Sequence, residues 1–211
     1  MSTPATAQGR ETRERILDAA AELIEHGPHG TSLDDVRATM HTSKSQLYPY
    51  FGDKQGLIHA VTDRQCGRVI ALHAELLAEV RDWAGLRRWA DAIVTITEAQ
   101  GFRGGCPIGT LAASLADTDE TARERLASAF AAWREAITAA LRRLVENGQL
   151  DPAADLDALT TATLAAVQGG LLLAKTERNS KPLQIVLDTA IQQLHAHTPP
   201  RRTVSRSHAK R

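Results

Sequence analysis

An all-α protein is predicted: about nine helices, the first three forming a small N-terminal head on a larger helical body. Three observations predict it. Apolar residues recur at three- and four-residue spacing from Ile16 to Leu194, the period of helices with one buried face. Nowhere do β-branched residues alternate with polar ones over the length of a half-buried strand. Gly, Pro and capping residues separate the periodic segments where helices would begin and end.

Residues 1–9 are polar and expected to be disordered. From Arg10 a first helix carries Ile16, Leu17, Ala20, Leu23 and Ile24 on one face and closes at His26-Gly27, where Gly27 suits the left-handed cap position. After Pro28-His29-Gly30, Thr31 with Asp34 or Ser32 with Asp35 makes a capping pattern for a two-turn helix marked by Leu33, Val36 and Met40. His41 and Thr42 turn into a third helix. Ser43 is its N-cap, with Gln46 at capping-box spacing. Leu47 and Phe51 stand four apart on its buried face, and Lys44, Ser45 and Tyr48 lie opposite. Asp53 stops this helix and caps the next, leaving Lys54 at its first position. A short helix with donors at its N-terminal end suits insertion into a DNA major groove.

Lys54 opens a long helix whose stripe is Ile58, Val61, Val69, Leu72, Leu76, Val80 and Trp83, with Gly85 as its break. Leu86, Trp89, Ile93, Ile96 and Thr97 mark the next. The strongest interior breaker is Gly101-Phe102-Arg103-Gly104-Gly105-Cys106-Pro107, and Pro107 suits the first turn of a short helix ending near Ala116. A cap within Asp117–Glu120 starts a long helix with Leu126, Phe130, Trp133, Ile137, Leu141 and Leu144 in line. Asn147-Gly148 closes it. Pro152 and Asp155 lead into Leu156, Leu159, Thr163, Val167 and Leu171. Ser180-Lys181-Pro182 interrupts, and Leu183, Leu187, Ala190, Ile191 and Leu194 complete the pattern. The units are therefore residues 1–9, a head over 10–56, a body over 57–197 and a basic disordered tail over 198–211.

Composition narrows the function classes. The chain has 211 residues, 43% of them apolar, an ordinary globular make-up. No apolar run approaches the ~20 residues of a membrane-spanning helix, and the N-terminus has no hydrophobic signal segment. The expectation is a cytoplasmic protein without a membrane partner. Cys66 and Cys106 are too few for a disulfide framework or a zinc site, and are expected to be small buried hydrophobes. No P-loop, dinucleotide glycine pattern, metal cluster or nucleophile motif is present, so neither an enzyme nor a cofactor is expected. A helical interaction module without DNA binding is the remaining rival.

Net charge is zero. Residues 1–60 carry six basic against eight acidic groups, so DNA affinity must rest on placed cations rather than bulk charge. Residues 201–211 carry five basic groups and no acid, either a solvated terminus or a non-specific DNA arm.

Over residues 10–60 the chain resembles the TetR family of bacterial transcriptional regulators. The resemblance rests on Thr12–Ile24, on Thr31-Ser32-Leu33-Asp34-Asp35-Val36, and on Ser43 through Leu57 with its Leu47-Tyr48-x-x-Phe51 step. Gly105-Cys106-Pro107-Ile108-Gly109 is similar to a branch that includes repressors of drug-efflux and detoxification genes. The resemblance implies a repressor that binds a palindromic double-stranded operator as a homodimer and is released by a small hydrophobic effector. Three departures stand out: His41 where the family usually has Gly, Arg37 and Met40 where small residues are common, and Pro49 inside the recognition helix. Pro49 removes a backbone hydrogen bond toward Ser45, so the reading surface is expected to be confined to Thr42–Tyr48.

DNA contacts are accordingly expected from Thr31, Ser32, Thr42, Ser43, Lys44, Ser45, Gln46, Tyr48, Tyr50 and Lys54. Lys44 is the best base or phosphate contact; Gln46 either reads adenine or only completes the cap. Thr31, Ser32 and Lys54 sit at helix starts that suit phosphate. For an effector pocket the candidates are Trp89, Phe102, Cys106, Phe130, Trp133 and Gln168, although large aromatics in such stripes are more often core. Gln168 would contact a ligand or make a dimer hydrogen bond. Leu171, Leu187, Ile191 and Leu194 are the expected dimer seam.

Overall fold

The computed structural model describes residues 6–26 and 49–199. Among them it contains seven helices, a further helical stretch at 49–51, and no strand. We label them α1 (Ala7–His26), α2 (Lys54–Ala78), α3 (Trp83–Ala99), α4 (Pro107–Leu115), α5 (Glu120–Glu146), α6 (Leu156–Glu177) and α7 (Lys181–His195). The expected helix around Leu33, Val36 and Met40, the start of the third helix, Leu47, and tail residues 200–211 lie outside the described residues, as do the side chains of Leu23 and Ile24.

Four of the seven starts share one device. Asp53, Asp82, Asp119 and Asp155 each accept the backbone N–H three residues on, from Gly56, Gly85, Ala122 and Ala158. Each bond satisfies one of the donors a helix start leaves unpaired. Pro stands in the first turn of α4 and of α7, where its missing N–H costs nothing.

Two expected boundaries differ. The first helix begins at Ala7 rather than Arg10, because Thr6 caps it: Gly9 N–H donates to Thr6 Oγ1 at 3.1 Å. Residues 7–9 are therefore helical. The long helix from Lys54 ends at Ala78 rather than at Gly85. Asp82 starts a new helix there, and Gly85 is the residue whose N–H it accepts at 2.7 Å. Gly85 begins α3 instead of breaking α2.

The core lies between α2 and α5, which run along each other, with α3 and α4 on its flanks and the α6–α7 pair closing it. Trp89, Trp133, Leu126, Ile137, Leu141 and Leu144 are among its fully buried side chains. Arg143 of α5 donates to the carbonyls of Leu77 at 2.6 Å and Val80 at 3.1 Å, so one guanidinium closes the C-terminal end of α2. Gly170 lets α6 and α7 meet closely: a Cβ there would stand 2.6 Å from Val186 and 2.8 Å from Leu183.

Length and composition alone would let α6 cross a membrane. In the fold Leu159, Leu164, Val167, Gly170, Leu171 and Ala174 of this helix are buried. Its high apolar content reflects a core face and a second apolar face together.

Candidate functional site

At the head end, α1 packs on α2. Ile16, Leu17, Ala20 and Ala21 are buried beside Phe51, Leu57 and Val61. Arg13 lies 5.5 Å over the Phe51 ring. Arg64 of α2 donates to the Glu14 carbonyl at 2.8 Å and to the Asp18 carboxylate at 2.7 Å. The turn into α2 is tight: a Cβ on Gly56 would stand 2.0 Å from the Phe51 carbonyl oxygen. Lys54 is exposed at the first position of α2, at the positive end of the helix dipole.

Further contacts tie α2 to α5. Asp119, the N-cap of α5, accepts from His59 Nε2 at 2.8 Å and from Gln55 at 3.2 Å. Burial raises its carboxyl pKa, but bonds from Ala122 N–H, His59 and Gln55 outweigh burial and hold it below the usual value. Arg125 pairs with Asp63.

Two cavities flank the loop Gly104–Cys106. The larger, about 720 Å³, runs along α2 from His73, Trp133 and Cys106 to Gln65, Arg68 and, on α1, Asp18 and Ala21. Its walls mix apolar Val69, Leu72, Leu76, Ile93 and Ile96 from α2 and α3 with polar Gln65, Arg68, Thr97 and Gln100. This size suits a drug-sized molecule. At the inner end Trp89 Nε1–H donates to His73 Nδ1 at 3.1 Å, and the His73 ring lies 4.0 Å from Trp133. Burial pushes the His73 pKa down to about 4, so the ring is neutral near pH 7. The second cavity, about 660 Å³, lies between α4 and α6 and is lined by Phe130, Gln168, Leu172 and Lys175. There Gln168 donates to Cys106 Sγ at 3.3 Å, and Lys175 to the Gly104 carbonyl at 3.1 Å. Cys66 and Cys106 are free and buried, and burial raises both thiol pKa values, that of Cys66 to about 11. Both are protonated near neutral pH.

Residues 16–61 match the model of the bacterial regulatory proteins of the tetR family, and residues 83–189 match that of the LmrA/YxaF-like transcriptional regulator C-terminal domain. The chain belongs to the TetR family. An uncharacterized HTH-type transcriptional regulator from the lacX 3′ region of Lactococcus lactis is 31% identical, over 85% of this chain and 91% of the relative. The transcriptional repressor DhaR of Mycobacterium sp. strain GP1 is 25% identical over 86% of this chain and 91% of its own. The solved TetR regulator of Chloroflexus aurantiacus superposes with a TM-score of 0.80 at 28% identity, covering 89% of this chain and 96% of the other. The protein is thus a helix-turn-helix DNA-binding transcriptional regulator.

In this TetR-family regulator most of the expected DNA-contacting residues, Thr31, Ser32, Thr42, Ser43, Lys44, Ser45, Gln46 and Tyr48, lie outside the described residues. Of the other two, Lys54 is exposed at the first position of α2. Tyr50 is half-buried, its ring 6.2 Å from that of Phe51 and packed against the core. Residues 49–51 are helical, Pro49 included; the residues before it, where the reading surface is expected, lie outside the described residues.

The six expected pocket residues are divided. Trp133 and Cys106 line the large cavity; Phe130, Gln168 and again Cys106 line the second. Trp89 lines neither and instead orients His73 from behind. Phe102 also lines neither: it sits at φ 59° in the strained turn after α3, with its carbonyl taken by Arg178 at 2.9 Å.

The expected dimer seam needs correction. Leu171, Leu187, Ile191 and Leu194 are all buried within the protomer, because they form the seam between α6 and α7 themselves and the inner walls. The exposed large apolar residues of this pair are Leu172 (64%), Ile185 (52%) and Leu173 (45%). Sequence reasoning also missed His73, although a lone histidine between Val69 and Leu77 on the apolar stripe was the available signal.

Proposed function

We propose that this regulator is a repressor that holds a palindromic operator as a homodimer and is released by a small, largely apolar effector bound in the large cavity. The observation that carries the reading is the reach of that cavity. One wall is the core of the body at Trp133 and His73, and the other includes Asp18 and Ala21 of the head helix α1. A molecule seated there touches both units, so it can favour one head position by differential contact. Half-sites one DNA turn apart, ~34–36 Å, tolerate little change in head spacing. The outward Leu172, Leu173 and Ile185 supply an apolar face on α6 and α7 for a second copy. The name of the DhaR relative is that of a repressor.

The test pairs operator binding with compound binding. In fluorescence anisotropy on operator DNA, Lys44→Ala should lose affinity while remaining a folded dimer. Compounds that raise the melting temperature should also release the operator from the unchanged protein. Normal operator binding by Lys44→Ala would remove Lys44 from the reading surface. Stabilising compounds that never release DNA would overturn the effector mechanism.

A further inference from the structure

The inner end of the large cavity has a definite hydrogen-bonding character, and its origin is the pairing of Trp89 with His73. An indole N–H only donates. Because Trp89 Nε1 donates to His73 Nδ1 at 3.1 Å, that nitrogen carries no proton and the ring's single proton sits on Nε2. The His73 ring lines the cavity. Its Nε2–H meets no acceptor among the described residues. Beside it, in the ring 4.0 Å away, the buried Trp133 Nε1–H is also without a partner there. Neighbouring polar groups do not make up the deficit. The Thr97 hydroxyl donates to the Ile93 carbonyl at 2.8 Å, and Cys106 Sγ already accepts from Gln168. The charged lining residues, Arg68 and Asp18, belong to the head end, and Asp18 is paired with Arg64. Trp133 Nε1–H is a buried donor left unmatched, which is costly, and a ligand that matches a donor facing the cavity gains selectivity over one that cannot.

We propose that His73 is the specificity anchor of this cavity: it presents Nε2–H to an uncharged acceptor oxygen, so the effector is a neutral, largely apolar molecule with a carbonyl-type oxygen at its buried end. The proposal rests on the reading of this cavity as the effector site. Trp89 is a positioning residue, acting through the tautomer of His73. A carboxylate at the same place would meet a neutral imidazole rather than a cation, the lining Arg68 standing five residues before His73 along α2. An ammonium would face donors rather than acceptors.

Calorimetric titration of the full chain with three probes of one shape tests this: methyl 2-naphthyl ketone, 2-ethylnaphthalene and 2-naphthoate. The ketone should bind, and the carboxylate should bind more weakly. In His73→Phe the ketone should lose about tenfold in affinity while the hydrocarbon loses nothing, the size expected for one buried hydrogen bond. If His73→Phe does not fold, ¹⁵N-edited spectra of the unchanged protein test the same hydrogen bond. The His73 Nε2–H resonance should move downfield with the ketone and stay in place with the hydrocarbon. Tighter binding of the carboxylate, equal ketone affinity in His73→Phe, an unmoved Nε2–H resonance, or no ketone binding up to its solubility limit would each overturn the proposal. Operator release is measured alongside. If the ketone binds through His73 without releasing DNA, the anchor stands and the effector mechanism falls. If other compounds release DNA while the ketone fails to bind, the mechanism stands and the anchor falls.

Discussion

His73 shows how one residue ties the chemistry of the cavity to the stability of the fold. Its pKa is lowered by burial to about 4, against 6.5 for the unperturbed group. Between these values the unfolded chain binds a proton that the folded protein does not, so stability rises with pH across this window. The contribution is complete above about pH 6.5 and is lost progressively as the pH falls toward 4. The full effect is on the order of 3 kcal/mol. Urea unfolding at steps from pH 7 to 4.5 should show this decline. His73→Leu should flatten it, while a slope unchanged by that substitution would place the titrating group elsewhere.

Among the elements, the α2–α5 contact depends on Asp119, which does two things at once. One oxygen caps α5 through Ala122 N–H at 2.9 Å, and the other holds His59 and Gln55 of α2. Loss of an N-cap typically costs ~1 kcal/mol, with a range of about 0.5–2. Asp119→Ala should cost about that much or more at pH 7, since His59 also loses its partner. Asp119→Asn keeps a good cap but not the charge, so it should fall between. Denaturant midpoints at constant slope measure both. Because the Asp119 pKa is lowered in the fold, its share is present above the unfolded carboxylate pKa and lost as the pH falls through the lower, folded value. This is an acid loss separate in range from that of His73. If Asp119→Asn matched the unchanged protein, the His59 contact would add nothing.

For the whole molecule, the exposed faces of α6 and α7 decide whether two heads can be held together. Leu172→Glu with Ile185→Glu places two charges on the proposed seam and leaves the buried Leu171, Leu187, Ile191 and Leu194 untouched. Light scattering should report a monomer with unchanged helical circular dichroism. Operator affinity should fall on the order of 10²-fold or more, because a single head loses the gain from two linked sites. A dimer that survives the double substitution would move the seam off this face.

Much of this molecule could be read from local pattern. The apolar period located the helices, and Asp53, the stretch Asp117–Glu120 and Asp155 marked helix starts because a cap bond spans only three residues. The resemblance over residues 10–60 carried the function class. The errors share a different origin. Gly85 looked like a break because a glycine is a local signal, but Asp82 supplied a new cap. Leu171, Leu187, Ile191 and Leu194 looked like a seam because they repeat on one face. Periodicity shows that a face is buried without saying whether the same chain or a second copy covers it.

By itself, then, the sequence determined the helices of the body and several of their caps, because these depend on interactions a few residues apart, and its resemblance over residues 10–60 carried the class of regulator. Only the tertiary structure decided that Trp89 stands behind His73, sixteen positions away, that the cavity reaches from Trp133 to α1, and that Leu172 and Ile185 rather than Leu171 and Ile191 point outward. Those results depend on which faces meet across the core and how closely the helices approach. Such facts belong to packing between distant segments, and no spacing along the chain encodes them.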